Sequence, residues 1–311
     1  MNKKFITKHW YANAYEQFEN QTNDVEFFID LLREQTDGIP QNILEVACGG
    51  GRISVPLAKA GHNVTGFDAD EFMLLRCYNK MKGIPNITCY QADAILDDWG
   101  TGFDVVIMAG NILINIELEV KGSSVNTHSC SPVHATSQVQ CGRTSSTFMS
   151  SKGVSMKNCL NYAEAQQLFI HKAAAALRMG GYLLLDYDQH SEASADRFFN
   201  YVVDSERLDV ATEYGDDLGT VGKFQNYGGV YDPVTRICTW ASHTDLTTNN
   251  GEQIIESTTG YKHIPSLAQV YGWLVDAGFV IEKTYRNYKD EPLSENEPDY
   301  VKATIWARYE G

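Results

Sequence analysis

Ile43-Leu44-Glu45-Val46-Ala47-Cys48-Gly49-Gly50-Gly51-Arg52 is the stretch that decides the fold, and Asn63-Val64-Thr65-Gly66-Phe67-Asp68-Ala69-Asp70 follows it. A short apolar run that passes into a glycine turn reads as a buried strand leading into a helix. The second run reads as a strand that ends on an acid. Glycines let backbone approach a nucleoside closely, and a carboxylate at the neighbouring strand end can accept ribose hydroxyls.

Glycine spacing separates two kinds of nucleoside ligand. A dinucleotide fingerprint, G-x-G-x-x-G/A, places a small third residue where helix and strand pack closely. Counting from Gly49 that position is Ser54, and counting from Ala47 it is Arg52. Glu45 would also repel a pyrophosphate, whereas it suits an α-ammonium group. The stretch 45–51 resembles motif I of the class I S-adenosylmethionine-dependent methyltransferases, [DE]-x-[GA]-x-G-x-G. Gln91-Ala92-Asp93-Ala94 resembles motif III and Phe103–Asn111 motif IV. Leu177–Asp186 is similar to the helix–Gly-Gly–strand passage before the family's fifth strand. The four occur in family order. The resemblance implies an α/β fold, a Rossmann-like doubly wound seven-stranded sheet, with S-adenosyl-L-methionine as cofactor. It assigns that cofactor to Glu45, Ala47, Gly49, Gly51, Asp68, Ala69, Ala92, Asp93, Ala94, Ala109 and Asn111.

Composition agrees with an enzyme of this kind. The 311 residues are 43% hydrophobic, enough for one large core with an appended subdomain. No run approaches a membrane span and no secretory leader is recognised, so a cytoplasmic location and no membrane partner are expected. Seven cysteines without close pairing fit reduced thiols. A formal charge of −15 disfavours nucleic acid, because binding it relies on Lys and Arg at the phosphates. A small-molecule methyl acceptor is the expected partner, with the chain a monomer or homodimer.

Residues 1–40 read as an N-terminal helical cap. Tyr11 and Tyr15 share one helical face at i, i+4, and the resemblance implies that such tyrosines fold over the cofactor. The core is expected over 41–196 and 265–311, with strands near 42–47, 63–67, 86–90, 103–109, 181–187, 279–286 and 300–308. A helix is expected over 163–178, stopped by Gly180-Gly181, and another after Ser266.

Two segments depart from a minimal fold. Residues 197–264 read as an antiparallel β insert for substrate, with turns at Asp232-Pro233 and at Thr248-Asn249-Asn250-Gly251. One face of its strand near 237–247 carries Cys238, Trp240, Ser242, Thr244 and Leu246, and neither face is clearly apolar. Residues 117–160 hold ten serines and four threonines with almost no periodicity, the composition of a disordered insertion. His128, Cys130, His134, Cys141 and Cys159 there lack paired ligand spacing, so no metal is expected.

An activated methyl sulfonium needs a nucleophile held near attack geometry with water excluded. Asn111 and the strand end Asp186-Tyr187-Asp188-Gln189-His190 supply the candidates. Asp188 and His190 are the expected catalytic residues, orienting an amine or accepting a hydroxyl proton. The reading is a methyltransferase of the class EC 2.1.1.-, with N-methylation ahead of O-methylation. The alternatives are an NAD(P)-dependent oxidoreductase and a non-catalytic S-adenosylmethionine-binding protein.

Overall fold

The computed structural model describes residues 2–18, 23–116, 161–202, 212–294 and 296–311. The insertion expected at 117–160 lies outside the described residues. Strands β1 (Asn42–Val46), β2 (Asn63–Asp68), β3 (Ile87–Gln91), β4 (Phe103–Met108), β5 (Leu177–Gln189), β11 (Phe279–Arg286) and β12 (Val301–Tyr309) form one seven-stranded sheet. Its order is β3-β2-β1-β4-β5-β12-β11, and β12 is antiparallel to both neighbours. The expected sheet and its strands are therefore present.

Alternation along the strands loads both faces of this sheet. Leu44, Val46, Val106, Met108, Leu183 and Leu185 face α5 (Tyr162–Ala176) and α7 (Leu267–Asp276), between which α6 (Glu192–Phe199) follows β5 in sequence. Ile43, Val105, Ile107, Leu184 and Trp306 face α2 (Asn23–Gln35), α3 (Ser54–Lys59) and α4 (Glu71–Lys80). Helix α5 starts at a capping box between Asn161 and Glu164, and α7 at one between Ser266 and Gln269.

Gly180-Gly181 is not the stop of α5. That helix ends at Ala176, and the glycines lie in an irregular stretch of β5 between the pairs Phe103↔Leu177 and Val105↔Tyr182. Gly180 takes φ +74°, and a Cβ on Gly181 would sit 3.0 Å from the carbonyl oxygens of Arg178 and Asp104. Close backbone approach, rather than helix termination, is what requires glycine here.

A second, antiparallel sheet holds β6 (Tyr201–Val202), β7 (Glu213–Gly215), β8 (Val221–Asp232), β9 (Ile237–Thr247) and β10 (Gln253–His263). Cys238, Ser242, Thr244 and Leu246 on one face of β9 are buried, so this is the packed face. Asp232 closes the β8–β9 turn by accepting hydrogen bonds from Val234 N and Thr235 Oγ1. At the β9–β10 turn only Gly251, φ +82°, is left-handed.

Helix α1 (Lys3–Phe18) joins the two sheets. Ile6, Trp10 and Ala14 pack on Leu246 and Ile254, and Trp10 Nε1 donates to Tyr214 O at 2.9 Å. At its far end Glu16 pairs with Arg76 and Lys80 of α4. Trp10→Ala removes a fully buried aromatic and is expected to cost about 3–5 kcal/mol. Urea unfolding followed by circular dichroism would detect it, and an unchanged midpoint would contradict this packing.

Candidate active site

The turn after β1 has a backbone that few residues tolerate. Ala47, Gly49 and Gly51 take φ of +56°, +53° and +75°. A Cβ on Gly51 would lie 2.8 Å from Cys77 Sγ and 3.1 Å from Val55 Cγ2. The turn is fastened to β2, because Cys48 N donates to Phe67 O at 2.9 Å and Gly49 N to Asp68 Oδ2 at 2.8 Å. The other Asp68 oxygen accepts from Asp70 N at 2.8 Å, and Asp70 in turn caps α4. Beneath the turn, the sulfurs of Cys48, Cys77 and Cys89 lie within 4.8 Å of one another as buried free thiols.

Glu45, the penultimate residue of β1, has a buried side chain, and Ser54 Oγ donates to its Oε2. Burial pushes Glu45 up to about 8, against the opposing Ser54 hydrogen bond and nearby Arg52. Ser54, which occupies the third position of a dinucleotide fingerprint, is thus committed to the carboxyl. Burial likewise raises Asp68, although the backbone N–H groups of Asp70 and Gly49 oppose it.

Three cavities follow the carboxyl edge of the sheet. The first, about 330 Å³, is lined by Asp68, Ala69, Ala92, Asp93 and Ala94, with Phe67, Ile112 and Phe169 as apolar walls. Asp93 Oδ1 accepts from Ile95 N at 2.9 Å and from Leu96 N at 3.2 Å. Lys172 on α5 pins the same loop by donating to the carbonyls of Ala94, Ile95 and Asp97. The second cavity lies over the glycine turn and is lined by Glu45, Ala47, Gly49, Arg52, Ala109 and Tyr15. The third, about 270 Å³, is lined by Tyr15, Asp24, Arg52, Asn111, Asp186, Tyr288 and Lys302. Tyr15, Arg52, Gly110 and Asn115 line both the second and the third, so the two are adjacent.

The structure thus gathers most of the residues singled out in the sequence, and separates a few. Tyr11 is not among the cavity linings; it meets Phe224 of β8 edge-on, with ring centroids 5.3 Å apart. Asn111, at φ +65°, donates from Nδ2 to Asp188 Oδ2 and accepts from Asp188 N, both at 2.7 Å. Lys302, opposite Asp188 on β12, lies 2.7 Å from Asp188 Oδ1. Burial works against the Lys302 charge, but Asp186 and Asp188 outweigh it and hold the ammonium above its ordinary range. His190 lies apart from the three cavities. It is enclosed by Phe198, Phe199 and Tyr300, and burial pushes it down to about 4, so it is neutral at pH 7.

Asp24, Asn115, Tyr288 and Lys302 line the cavities without having been singled out in the sequence. Lys302 could have been found from strand alternation opposite Asp188, and Asn115 from its i+4 spacing to Asn111. Asp24 and Tyr288 come from distant elements and carry no motif.

Residues 43–122 match the methyltransferase-domain family. The fold is shared with a S-adenosylmethionine-dependent methyltransferase from Clostridium acetobutylicum ATCC 824, at 12% identity over 97% of this chain and 98% of that one, TM-score 0.62. It is shared also with the sugar N-methyltransferase KedS8 from Streptoalloteichus sp ATCC 53650, at 14% identity over 97% and 93%, TM-score 0.61. DesVI from Streptomyces venezuelae matches at 14% identity over 97% and 98%, TM-score 0.58. No curated protein matches the chain in sequence. Its strand order, its glycine turn and the domain match over 43–122 give the chain the fold of the class I S-adenosylmethionine-dependent methyltransferases.

Two expectations follow. Gly51→Ala adds a Cβ at a left-handed residue against Cys77, and should lower the unfolding midpoint and weaken S-adenosylhomocysteine binding, both measurable by calorimetry. Glu45 is raised in the folded state, so its contribution to stability is present below about pH 4.5 and is lost as pH rises towards about 8. The cofactor-free protein should therefore lose thermal stability between pH 5 and pH 8, and Glu45→Gln should flatten that slope. An identical slope in the variant would exclude this assignment.

Proposed function

We propose that the protein transfers a methyl group from S-adenosylmethionine to a small-molecule acceptor, with nitrogen preferred over oxygen. The observation that carries this reading is the succession of three cavities along one sheet edge. One is suited to a nucleoside, the next to an amino-acid moiety and the last to an acceptor. When bound, the cofactor supplies a methyl group already activated as a sulfonium.

The chain's own residues divide the binding. Asp68 accepts the ribose hydroxyls, its orientation held by two backbone N–H groups. Ala92, Asp93 and Ala94 border the base, with the small side chains leaving space for a ring. Glu45 takes the α-ammonium, whose arrival favours the ionised carboxylate over the neutral form that burial prefers. Tyr15 covers the junction between the cofactor and acceptor cavities. Asp188 acts by positioning Asn111 at the end of β4, and we assign the insert of 197–264 to acceptor selection. Location of the chain in the cytoplasm belongs to the same reading; no helix among the described residues is long and apolar enough to cross a membrane.

An oxidoreductase is less well supported, because Ser54 stands where a dinucleotide fingerprint wants a smaller third residue, and Glu45, to which Ser54 donates, would repel a pyrophosphate. Isothermal calorimetry with S-adenosylmethionine, S-adenosylhomocysteine and NAD tests the assignment: the first two should bind and NAD should not. Asp68→Ala should weaken S-adenosylhomocysteine by about tenfold or more, the loss of one or two charge-assisted hydrogen bonds. Tight NAD binding would overturn the reading. A screen with labelled S-adenosylmethionine over amines, phenols and carboxylates then tests the acceptor class.

A further inference from the structure

Asp186 stands out in the third cavity. Its side chain is buried (1% exposed) and it lines the space beside Asn111 and Lys302. Oδ1 accepts a hydrogen bond from Thr304 Oγ1 at 2.9 Å, directly across the β5–β12 pair. Oδ2 has no hydrogen-bond partner among the described residues. A buried carboxylate oxygen left unpaired is costly, so such an atom at a cavity wall marks where a ligand's donor belongs.

The charges around it are already matched. Asp24 Oδ1 accepts from Arg52 at 2.7 Å, and Asp188 pairs with Lys302. Among the described residues, two ion pairs and one further carboxylate leave the cavity one positive charge short when Asp186 is ionised. A hydroxyl could donate one hydrogen bond to Oδ2 but would leave that deficit, and a carboxylate acceptor would deepen it.

We infer that the acceptor is an amine, seated as its ammonium on Asp186 Oδ2, and that this carboxylate takes the N–H proton whose removal frees the nitrogen lone pair. The inference rests on the methyl-transfer reading above and names its substrate class. The balance is simple. One N–H proton passes to Asp186, the freed lone pair forms the bond from nitrogen to the methyl carbon, and the carbon–sulfur bonding pair stays on sulfur. The methylated nitrogen, again cationic, leaves with its charge, and Asp186 returns its proton to solvent.

The electrostatics fit a group that must first hold a cation and then accept its proton. Burial pushes Asp186 up to about 7, with Asp188 and Asp24 adding to the rise and Lys302 and Thr304 opposing it. Arg52 and Tyr288 also line its cavity, and burial together with the carboxylates raises the Tyr288 phenol, which stays neutral. A carboxyl near 7 is partly ionised at neutral pH, and an arriving ammonium completes the ionisation.

The test uses the full chain loaded with S-adenosylhomocysteine. Ethylamine, cyclohexylamine and 2-aminocyclohexanol are each compared with the alcohol of the same skeleton by calorimetry and thermal shift. Amines should bind and stabilise where the matched alcohols do not, and Asp186→Asn, which keeps an acceptor for Thr304, should weaken them by about tenfold or more. For any amine that is methylated, kcat/KM should rise with pH through about 7 in the parent protein, and Asp186→Asn should lose that limb. Equal responses to amines and alcohols, no response to any amine, or full amine affinity in Asp186→Asn would each overturn the inference. S-adenosylhomocysteine affinity is measured separately. If it fails to bind, the methyl-transfer reading falls; if it binds while the amine series fails, only the inference falls.

Discussion

Two backbone N–H groups, those of Gly49 and Asp70, converge on the single carboxylate of Asp68. That convergence joins the turn after β1, the end of β2 and the start of α4. A partly buried carboxylate is costly unless hydrogen-bonded, and a left-handed turn is strained unless held. Each offsets the other's cost. The cavities form where they do because the turn cannot relax away from the sheet edge, and Cys77 and Val55 beneath it leave no room for a bulkier residue at Gly51.

The central sheet was legible because its strands are short apolar runs that end in chemistry-bearing residues. Glu45, Asp68 and Asn111 all lie at or just beyond strand ends, where the order of motifs predicts them. The cavities assigned above to the cofactor are built from local sequence, so their lining could be read locally. The lining of the cavity assigned to the acceptor could not. Asp24 arrives from α2, Lys302 from β12 and Tyr288 from the turn after β11, and the antiparallel insertion of β12 beside β5 is what brings Lys302 to Asp188. Gly180-Gly181 misled for a related reason. A glycine pair after a helical pattern reads as a stop, yet here the demand came from the carbonyl oxygens of Asp104 and Arg178.

Charge is managed differently inside the cleft and outside it. The chain carries a formal −15, so its long-range field favours the approach of cations such as a sulfonium or an ammonium. Inside, Asp24 and Asp188 are each matched by a base, and burial raises Glu45 and Asp186 towards neutral forms. The free cleft thus avoids holding several bare anions together. Cationic ligands would draw out the ionised forms only as they bind.

Helix α1 bears on how the chain is made. It leaves the ribosome well ahead of the partners of its buried face, Tyr214, Leu246 and Ile254, which come some two hundred residues later; His9 meets Asp216 across a separation of 207. Contacts so far apart in sequence form late, because closing a long loop must precede any gain from it. The emerging helix, with Ile6 and Trp10 uncovered, must wait for the later sheet that buries it. In that interval its apolar stripe is a surface on which a chaperone or another nascent chain could settle.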